Sequence, residues 1–216
     1  MPVQWALQPQ PVKLFLFACV FFEIVALAGM LAGYGASMRG FLVAVGGFWP
    51  DLLKGATPAF AGQPVFMFGT TAFLHGGPLH LFMNMVGLLW LGPIIVDRVG
   101  KAAFWPIAGL SALGAGGLFA ALASSGTPSV GASGVLFGFL GTVALWEILD
   151  RCARRDSLMP VVQNGLAFLA INVALTLASP GNIAWEAHVG GFLAGTLCGF
   201  ITWHRPYLPH RSWPEL

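Results

Sequence analysis

Two residues in apolar segments of this sequence have the side chains needed to cleave a peptide bond. Ser133 lies in VGASGVLFGFLG, between Gly131 and Gly134, and His188 lies in AHVGGFLAG. A serine hydroxyl is a poor nucleophile until a neighbouring base takes its proton. A neutral histidine can take that proton and later return it to a leaving amine. If the two segments pack together, Ser133 and His188 are a candidate nucleophile and general base.

A second pair of polar residues lies earlier in the chain. His80 and Asn84 are four residues apart, so on a helix they project from the same face. Both side chains can donate hydrogen bonds to an oxygen that becomes negative when a carbonyl is attacked. With backbone N–H groups near Ser133 they would form an oxyanion hole, worth a few kcal/mol per donor. We therefore predict oxyanion-stabilising roles for His80 and Asn84.

The composition shows what kind of protein must position these groups. Of the 216 residues, 57% are hydrophobic and 8% are charged, and the mean hydropathy is +0.79. Soluble domains carry about a quarter of charged residues. The chain is therefore predicted to be an integral membrane protein with one domain, residues 1–216, and short tails at about 1–12 and 204–216. Its net charge of +2 is small and dispersed, which excludes a nucleic-acid surface.

The apolar segments predict an all-α membrane protein. A helix needs about 20 mainly apolar residues to cross a bilayer. Cutting the chain at its polar residues gives six spans, at about 14–34, 79–96, 102–123, 133–149, 161–177 and 187–203. The segment 35–78 is rich in Gly, Pro and Phe, and it is too broken for a span and too apolar for an ordinary loop. We expect it to be an interfacial or re-entrant first loop.

The positions of Lys and Arg predict the orientation, because short cytoplasmic loops carry their excess. Most basic residues fall on one side of the six spans, and only Arg39 and Lys54 fall on the other. Both termini are therefore expected in the cytoplasm. The N-terminus has no signal or transit peptide pattern, so the first span is expected to act as an uncleaved insertion signal. A compact chain of this kind suggests a bacterial inner membrane.

The four polar candidates lie at one depth. At 1.5 Å per helical residue, His80 and Asn84 lie about 25 and 20 Å from the cytoplasmic end of their span, Ser133 about 21 Å and His188 about 24 Å. In a hydrocarbon core about 30 Å thick, this level is several ångströms below the outer surface. The sequence thus predicts that three spans bring these groups together.

Glycines in the fourth and sixth spans support this expectation. They recur at every fourth residue, the spacing that allows two helix backbones to approach closely. These glycines are Gly134 and Gly138 in the fourth span, and Gly191, Gly195 and Gly199 in the sixth. If these faces touch, Ser133 and His188 come within hydrogen-bond reach.

Three motifs together resemble a known family. HGGPLHLFMN at 75–84, GASG at 131–134 and AHVGGFLAG at 187–195 are similar in order and spacing to rhomboid intramembrane serine proteases, over nearly the whole chain. The resemblance implies a six-helix bundle and a Ser-His dyad without an acidic third member, here Ser133 and His188. It also implies an oxyanion site of His80, Asn84 and the Ser133 backbone amide.

The resemblance further implies the partners. Such proteases cleave peptide bonds in or near transmembrane segments of other membrane proteins, and substrate enters the site from the lipid bilayer past the first loop. No metal or organic cofactor is implied, and the histidines lack the HExxH pairing that would seat zinc. The oligomeric state stays open.

Some residues depart from the family pattern or lack a role. Many relatives have a Trp-Arg pair in the first loop where this chain has Phe66 and Met67, and some have a tyrosine where it has Phe137. A phenyl ring can still stack on the catalytic histidine. Glu23 lies within the first span with no obvious cationic partner, and we expect a protonated, hydrogen-bonded packing residue rather than a group on the substrate path.

Two further residues need assignment. His75 precedes the second span, and we expect it to position the first loop. Glu186 is two residues before His188, so on a helix it points to another face and is excluded as a triad acid.

Two other functions compete with a protease. One is a catalytically silent rhomboid-like protein that binds transmembrane segments; such proteins usually lack the serine or the histidine, and this chain has both. The other is a small transporter or channel, which commonly shows internal repeats. No repeat is visible in the sequence, which disfavours a transporter.

Overall fold

The chain is described by a computed structural model that covers residues 8–34, 37–123, 126–178 and 184–204. These ranges contain six long helices, as predicted: α1 (Gln10–Gly29), α4 (Pro78–Val99), α5 (Lys101–Leu122), α6 (Ser133–Arg154), α7 (Met159–Ala178) and α8 (Trp185–Thr202). Two shorter helices, α2 (Ser37–Gly46) and α3 (Gln63–Thr70), lie between α1 and α4. Residues 1–7 and 205–216 of the predicted tails lie outside the described ranges.

Four of the described helices are long and apolar enough to cross a membrane: α1 with its continuation to Gly33, α4, α5 and α6. A shorter apolar stretch, Met159–Ala170, belongs to α7. In α8 the apolar run is interrupted by Glu186, His188 and several glycines, which lower its hydropathy. The described residues are thus those of an all-α integral membrane protein.

The ends of the long helices follow from residues next to the apolar runs. Helix α1 starts at Gln10, four residues before the predicted span, with Pro11 in its first turn, where a missing N–H costs no hydrogen bond. Helix α6 starts at Ser133 as predicted but continues to Arg154. Its last turn contains Arg151 and Arg154, and cations are favourable near the carbonyl end of a helix.

The first loop is more regular than the sequence predicted. Besides α2 and α3, its described part, residues 37–78, contains two 3₁₀ turns, Pro50–Lys54 and Thr71–Phe73. Its apolar residues pack onto α5, where the buried ring of Phe48 meets Phe119 edge-on with ring centroids 6.0 Å apart. Met67, one of the two first-loop residues said above to depart from the family pattern, is fully buried in the same cluster. Apolar packing thus anchors this loop.

Helix α8 packs between α5 and α6 through backbone contacts. Cβ atoms built on Gly191 and Gly195 would overlap the carbonyl oxygens of Gly134 and Gly138 in α6. We call these four residues the glycine seam. The predicted contact between the fourth and sixth spans is therefore confirmed, and its closeness depends on the absence of side chains.

At the end of the bundle away from Ser133, an ion pair joins three helices. Arg98 of α4 donates to both carboxylate oxygens of Asp150 in α6, at 2.5 and 3.0 Å, and to the carbonyl of Trp203 at the end of α8, at 3.0 Å. The indole of Trp203 also donates to Asp150, at 3.0 Å. This charged cluster fixes the helix ends that lie farthest from Ser133.

Candidate active site

The nucleophile and base predicted from the sequence lie in contact. Ser133 is the first residue of α6 and His188 lies in the first turn of α8. Because the glycine seam holds these two helices at backbone distance, their ends are adjacent. His188 Nε2 lies 2.9 Å from Ser133 Oγ. This is a hydrogen-bond distance for a serine and the histidine that would deprotonate it.

Phe137 fixes the plane of the histidine ring. It follows Ser133 by one helical turn, and its ring stacks on His188 with centroids 4.0 Å apart and planes 11° apart. The phenyl ring thus makes the stack expected at this position. Within the described ranges no carboxylate contacts His188, and Glu186 lies in the same first turn without reaching the ring.

The segment before Ser133 is held by the first loop. Ser129 and Phe48 exchange two backbone hydrogen bonds of 2.9 Å, and the Thr71 hydroxyl donates to the Ser129 carbonyl at 2.6 Å. The backbone N–H of Gly131 donates to the Thr71 carbonyl at 3.0 Å. The first loop therefore determines where the chain enters α6, and so where Ser133 lies.

His80 lies directly over Gly131. The glycine has a φ of +128°, which side-chain-bearing residues rarely adopt, and a Cβ there would lie 2.8 Å from His80 Cε1 and Nε2. The same Cβ would lie 3.8 Å from Ser133 Oγ. The imidazole edge with Nε2 therefore faces the nucleophile across a residue that must be small.

The hydrogen bonds of His80 indicate its tautomer. The backbone N–H of Gly76 donates to His80 Nδ1 at 3.3 Å. A nitrogen that accepts a hydrogen bond carries no proton, so this contact favours the neutral tautomer with its proton on Nε2. In that tautomer the nitrogen next to Gly131 is a donor, which the predicted oxyanion role would require.

Asn84 lies one turn further along α4 and is buried. Its side-chain amide donates to the carbonyl of His80 at 2.9 Å. A primary amide has a second hydrogen to donate. The structure thus brings Asn84 to the helix turn that carries His80, and its predicted role as an oxyanion donor depends on that second hydrogen.

His75 packs against His80 from the first loop. Their rings meet edge to face with centroids 5.2 Å apart, and His75 is 3% exposed. Burial, together with the nearby His80 and Arg39, lowers the pKa of His75 to about 3. A neutral His75 is therefore part of the packing behind His80, in line with a structural role.

Glu23 differs from the sequence prediction. It has a cationic partner, Arg39 of α2, whose two guanidinium nitrogens donate to both carboxylate oxygens at 2.7 and 2.8 Å. The same guanidinium donates to the carbonyl of His75 at 2.6 Å, and the hydrogen bond to Glu23 raises the pKa of Arg39. The expectation that Glu23 has no cationic partner was wrong, because the chain reverses after α1 and brings Arg39 of α2 to the carboxylate.

Arg39 and Gly76 were not predicted from the sequence, although one signal for Arg39 was present. Glu23 is the acidic residue of the first span, and Arg39 is one of two cations in the loop that follows this span. Glu23 and Arg39 can pair if the chain reverses direction after the first span. Nothing in the sequence indicated the Gly76 contact. In the part of the chain that the structure describes, no group of three His, Cys, Asp or Glu side chains could hold a metal ion.

Comparison with known proteins gives consistent matches. The Rhomboid domain model matches residues 63–205. RHOMBOID-like protein 4 of Arabidopsis thaliana is 35% identical over 141 residues, which is 65% of this chain and 34% of that protein. RHOMBOID-like protein 6, mitochondrial, of the same plant is 34% identical over 68% of this chain and 45% of its own length. Rhomboid-like protease 3 of Toxoplasma gondii is 32% identical over 67% and 55%. The matches thus span about a third to just over half of these relatives.

Proposed function

The chain belongs to the rhomboid family, and on that premise we propose that it is an intramembrane serine endopeptidase. Ser133 is the nucleophile and His188 the general base. The observation that carries the proposal is the 2.9 Å contact between His188 Nε2 and Ser133 Oγ. It joins two polar side chains of apolar helices, and polar groups in such segments are costly and usually functional.

In the first step, Ser133 Oγ attacks the carbonyl carbon of the scissile peptide bond. His188 Nε2 takes the hydroxyl proton as the new C–O bond forms, because the free hydroxyl is too weak a nucleophile. The stack with Phe137 at 4.0 Å keeps the imidazole in the plane that this transfer needs. The carbonyl oxygen becomes negative in the tetrahedral intermediate.

Three kinds of donor stabilise that oxygen. His80 supplies Nε2–H, Asn84 supplies its second amide hydrogen, and Ser133 supplies its backbone N–H. The first N–H groups of a helix have no partner within the helix, so the start of α6 is suited to a negative oxygen. Donors that are already oriented before the reaction are usually the largest single contribution to such catalysis.

The intermediate collapses when the imidazolium of His188 gives its proton to the leaving amine. The peptide C–N bond breaks and an acyl ester forms on Ser133. Water, deprotonated by His188, then attacks the ester and releases the second product and the free hydroxyl. Ser133 and His188 therefore complete the catalytic cycle, and the mechanism needs no carboxylate to orient the histidine.

The substrates we propose are transmembrane segments of other membrane proteins, since the chain is itself an integral membrane protein. They would approach Ser133 from the bilayer, and the termini of the protease would lie in the cytoplasm. The host membrane is a separate matter. The relatives named above come from a plant and a protist, and they give no support to a bacterial inner membrane.

The proposal is tested by labelling the purified protein in detergent with a fluorophosphonate probe, which reacts with activated serines. Wild type is expected to be labelled, and Ser133→Ala and His188→Ala are expected to lose the label while remaining folded. Ser111→Ala is the matched control, because Ser111 is a buried serine whose hydroxyl donates to the Ile107 carbonyl of its own helix. It should be labelled like wild type.

A folded wild-type protein that is not labelled, beside a soluble serine hydrolase that is, would contradict the protease. It would favour a silent rhomboid-like protein that binds transmembrane segments. Labelling that persists in Ser133→Ala would instead show that another serine reacts.

A further inference from the structure

The ion pair between Glu23 and Arg39 is unusual in its placement. Glu23 is 4% exposed in an apolar helix, and Arg39 belongs to the first loop. A buried ion pair often contributes little net stability, because both charges must leave water. Its two-pronged geometry, however, orients the guanidinium closely. The role of this ion pair is therefore to be sought in the groups that it positions and not in net stability.

The guanidinium holds one particular peptide group. Arg39 Nη1 donates to the carbonyl oxygen of His75, at 2.6 Å. The N–H of the same peptide group belongs to Gly76, and it donates to His80 Nδ1 at 3.3 Å. Because a trans peptide is planar, its C=O and N–H point in opposite directions. This single rigid group thus links Arg39 on one side to His80 on the other.

The link has an electrostatic consequence. A cationic donor on a carbonyl polarises the peptide group and strengthens the hydrogen bond from its N–H. That N–H is the one that makes Nδ1 of His80 an acceptor and leaves the proton on Nε2. Nε2 is the nitrogen that faces Gly131 and Ser133. The charge of Arg39 consequently favours the tautomer with its donor toward the nucleophile.

We propose that Arg39, oriented by Glu23, is a positioning residue that fixes the ring orientation and tautomer of His80 through the His75–Gly76 peptide group. The part of this inference that concerns reaction rate rests on the proposed function, in which His80 Nε2–H stabilises the oxyanion. Arg39 makes no described contact with Ser133 or His188, so it acts only through His80.

The test uses a variant that removes the pair without leaving a buried charge, Glu23→Leu/Arg39→Met. Replacing both partners of a buried ion pair by apolar residues usually preserves folding. A second variant, Arg39→Lys, keeps a cation beside Glu23 but loses the planar fork that reaches two acceptors. The matched control is Arg154→Met/Asp156→Leu, which removes an exposed ion pair at the other end of α6.

The first readout does not depend on catalysis. The ring nitrogens of protein labelled with ¹⁵N-histidine are measured by NMR, with the His80 signals assigned from His80→Gln. In wild type and control, His80 should show the neutral tautomer with its proton on Nε2. In both Arg39 variants it should show a mixture of tautomers.

The second readout is the rate of labelling by the fluorophosphonate, resolved into probe binding and reaction. In the Arg39 variants the reaction rate constant should fall about tenfold to a hundredfold, with probe binding within twofold of wild type and thermal unfolding little changed in the double variant. A misplaced oxyanion donor affects the reaction and not the binding of the probe.

Two results would overturn the inference. One is a wild-type spectrum in which His80 carries its proton on Nδ1 or on both nitrogens. The other is a pair of folded Arg39 variants that have the wild-type His80 spectrum and reaction rate. A failure of the proposed function is distinguishable, because wild type would then resist labelling whereas the effect of Arg39 on the His80 spectrum would persist.

Discussion

Replacing Gly131 by alanine tests whether this glycine is needed for the proposed reaction or for stability alone. The new Cβ would lie 2.8 Å from His80 Nε2 and Cε1, whereas carbon atoms in good contact are about 3.5 to 4 Å apart. The residue also has a φ of +128°. The imidazole must therefore move by close to 1 Å, and the backbone must bear a strained conformation.

The two effects have different magnitudes. Strain of this kind costs about 1 to 3 kcal/mol of folding stability. Loss of one oxyanion donor lowers a rate by about 10² to 10³, and a displacement of 1 Å at a reacting centre costs about 10². We therefore expect Gly131→Ala to remain folded, with a lower unfolding temperature, and to react with the fluorophosphonate about a hundredfold more slowly than wild type.

Gly109→Ala is the matched control. Gly109 lies in α5, and a Cβ there would meet no atom within 4 Å. Alanine in a helix is favoured over glycine by up to about 1 kcal/mol, so this variant should be as stable as wild type or more so and should react at the same rate. Labelling time courses and thermal unfolding in the same detergent measure both quantities.

The reasoning would be refuted by a folded Gly131→Ala protein that is labelled at the wild-type rate. That result would mean that His80 can shift without loss, and that its Nε2–H does not act on the oxyanion. If the loss of labelling only matches the fraction of unfolded protein, Gly131 contributes to stability and not to the reaction rate.

Three further substitutions or conditions test other parts of the structure. Gly195→Ala should lower the unfolding temperature strongly, because its Cβ would overlap the backbone of α6, whereas Gly117→Ala, in open space, should not. Phe137→Ala should slow labelling about twofold to tenfold by removing a stack worth about 0.5 to 1.5 kcal/mol on His188, and Phe137→Tyr should retain the rate. Since the pKa of His75 is about 3 in the folded chain and about 6.5 when unfolded, only the unfolded chain gains its proton between those values. Stability should therefore fall by about 1.4 kcal/mol per pH unit below 6.5, as measured by thermal unfolding, and His75→Gln should flatten that slope.

The long helices could be predicted because lipid imposes a simple requirement on the sequence. A spanning helix must be mainly apolar for about 20 residues, so α4, α5 and α6 were visible as long apolar runs with few polar residues. Their ends were less visible. Helix α6 continues five residues past the predicted end at 149, because a charged turn that lies beyond the apolar run leaves no signal in hydropathy.

The site was predictable only in part. The contact of Ser133 with His188 followed from two glycine faces of equal period, since small residues allow one close arrangement of the helices. The sequence of the first loop shows no such periodic pattern of small residues. Its short helices, the reversal that brings Arg39 to Glu23, and the place of the His75–Gly76 peptide group between Arg39 and His80 all depend on contacts that no local sequence pattern encodes.

The glycine seam allows α8 to pack closely against α6 only at discrete positions along the helix axis. Gly191 faces Gly134 and Gly195 faces Gly138, so successive points of closest approach are four residues, or about 6 Å, apart along the helices. Between these points the residues of both helices carry side chains, so we expect the next equally close arrangement only a full step away. The gap between Ser133 and His188 is therefore either closed or several ångströms wide. An agent that disturbs this pair by sliding the two helices should switch activity off in a fraction of molecules, and should leave the remaining molecules working at full speed.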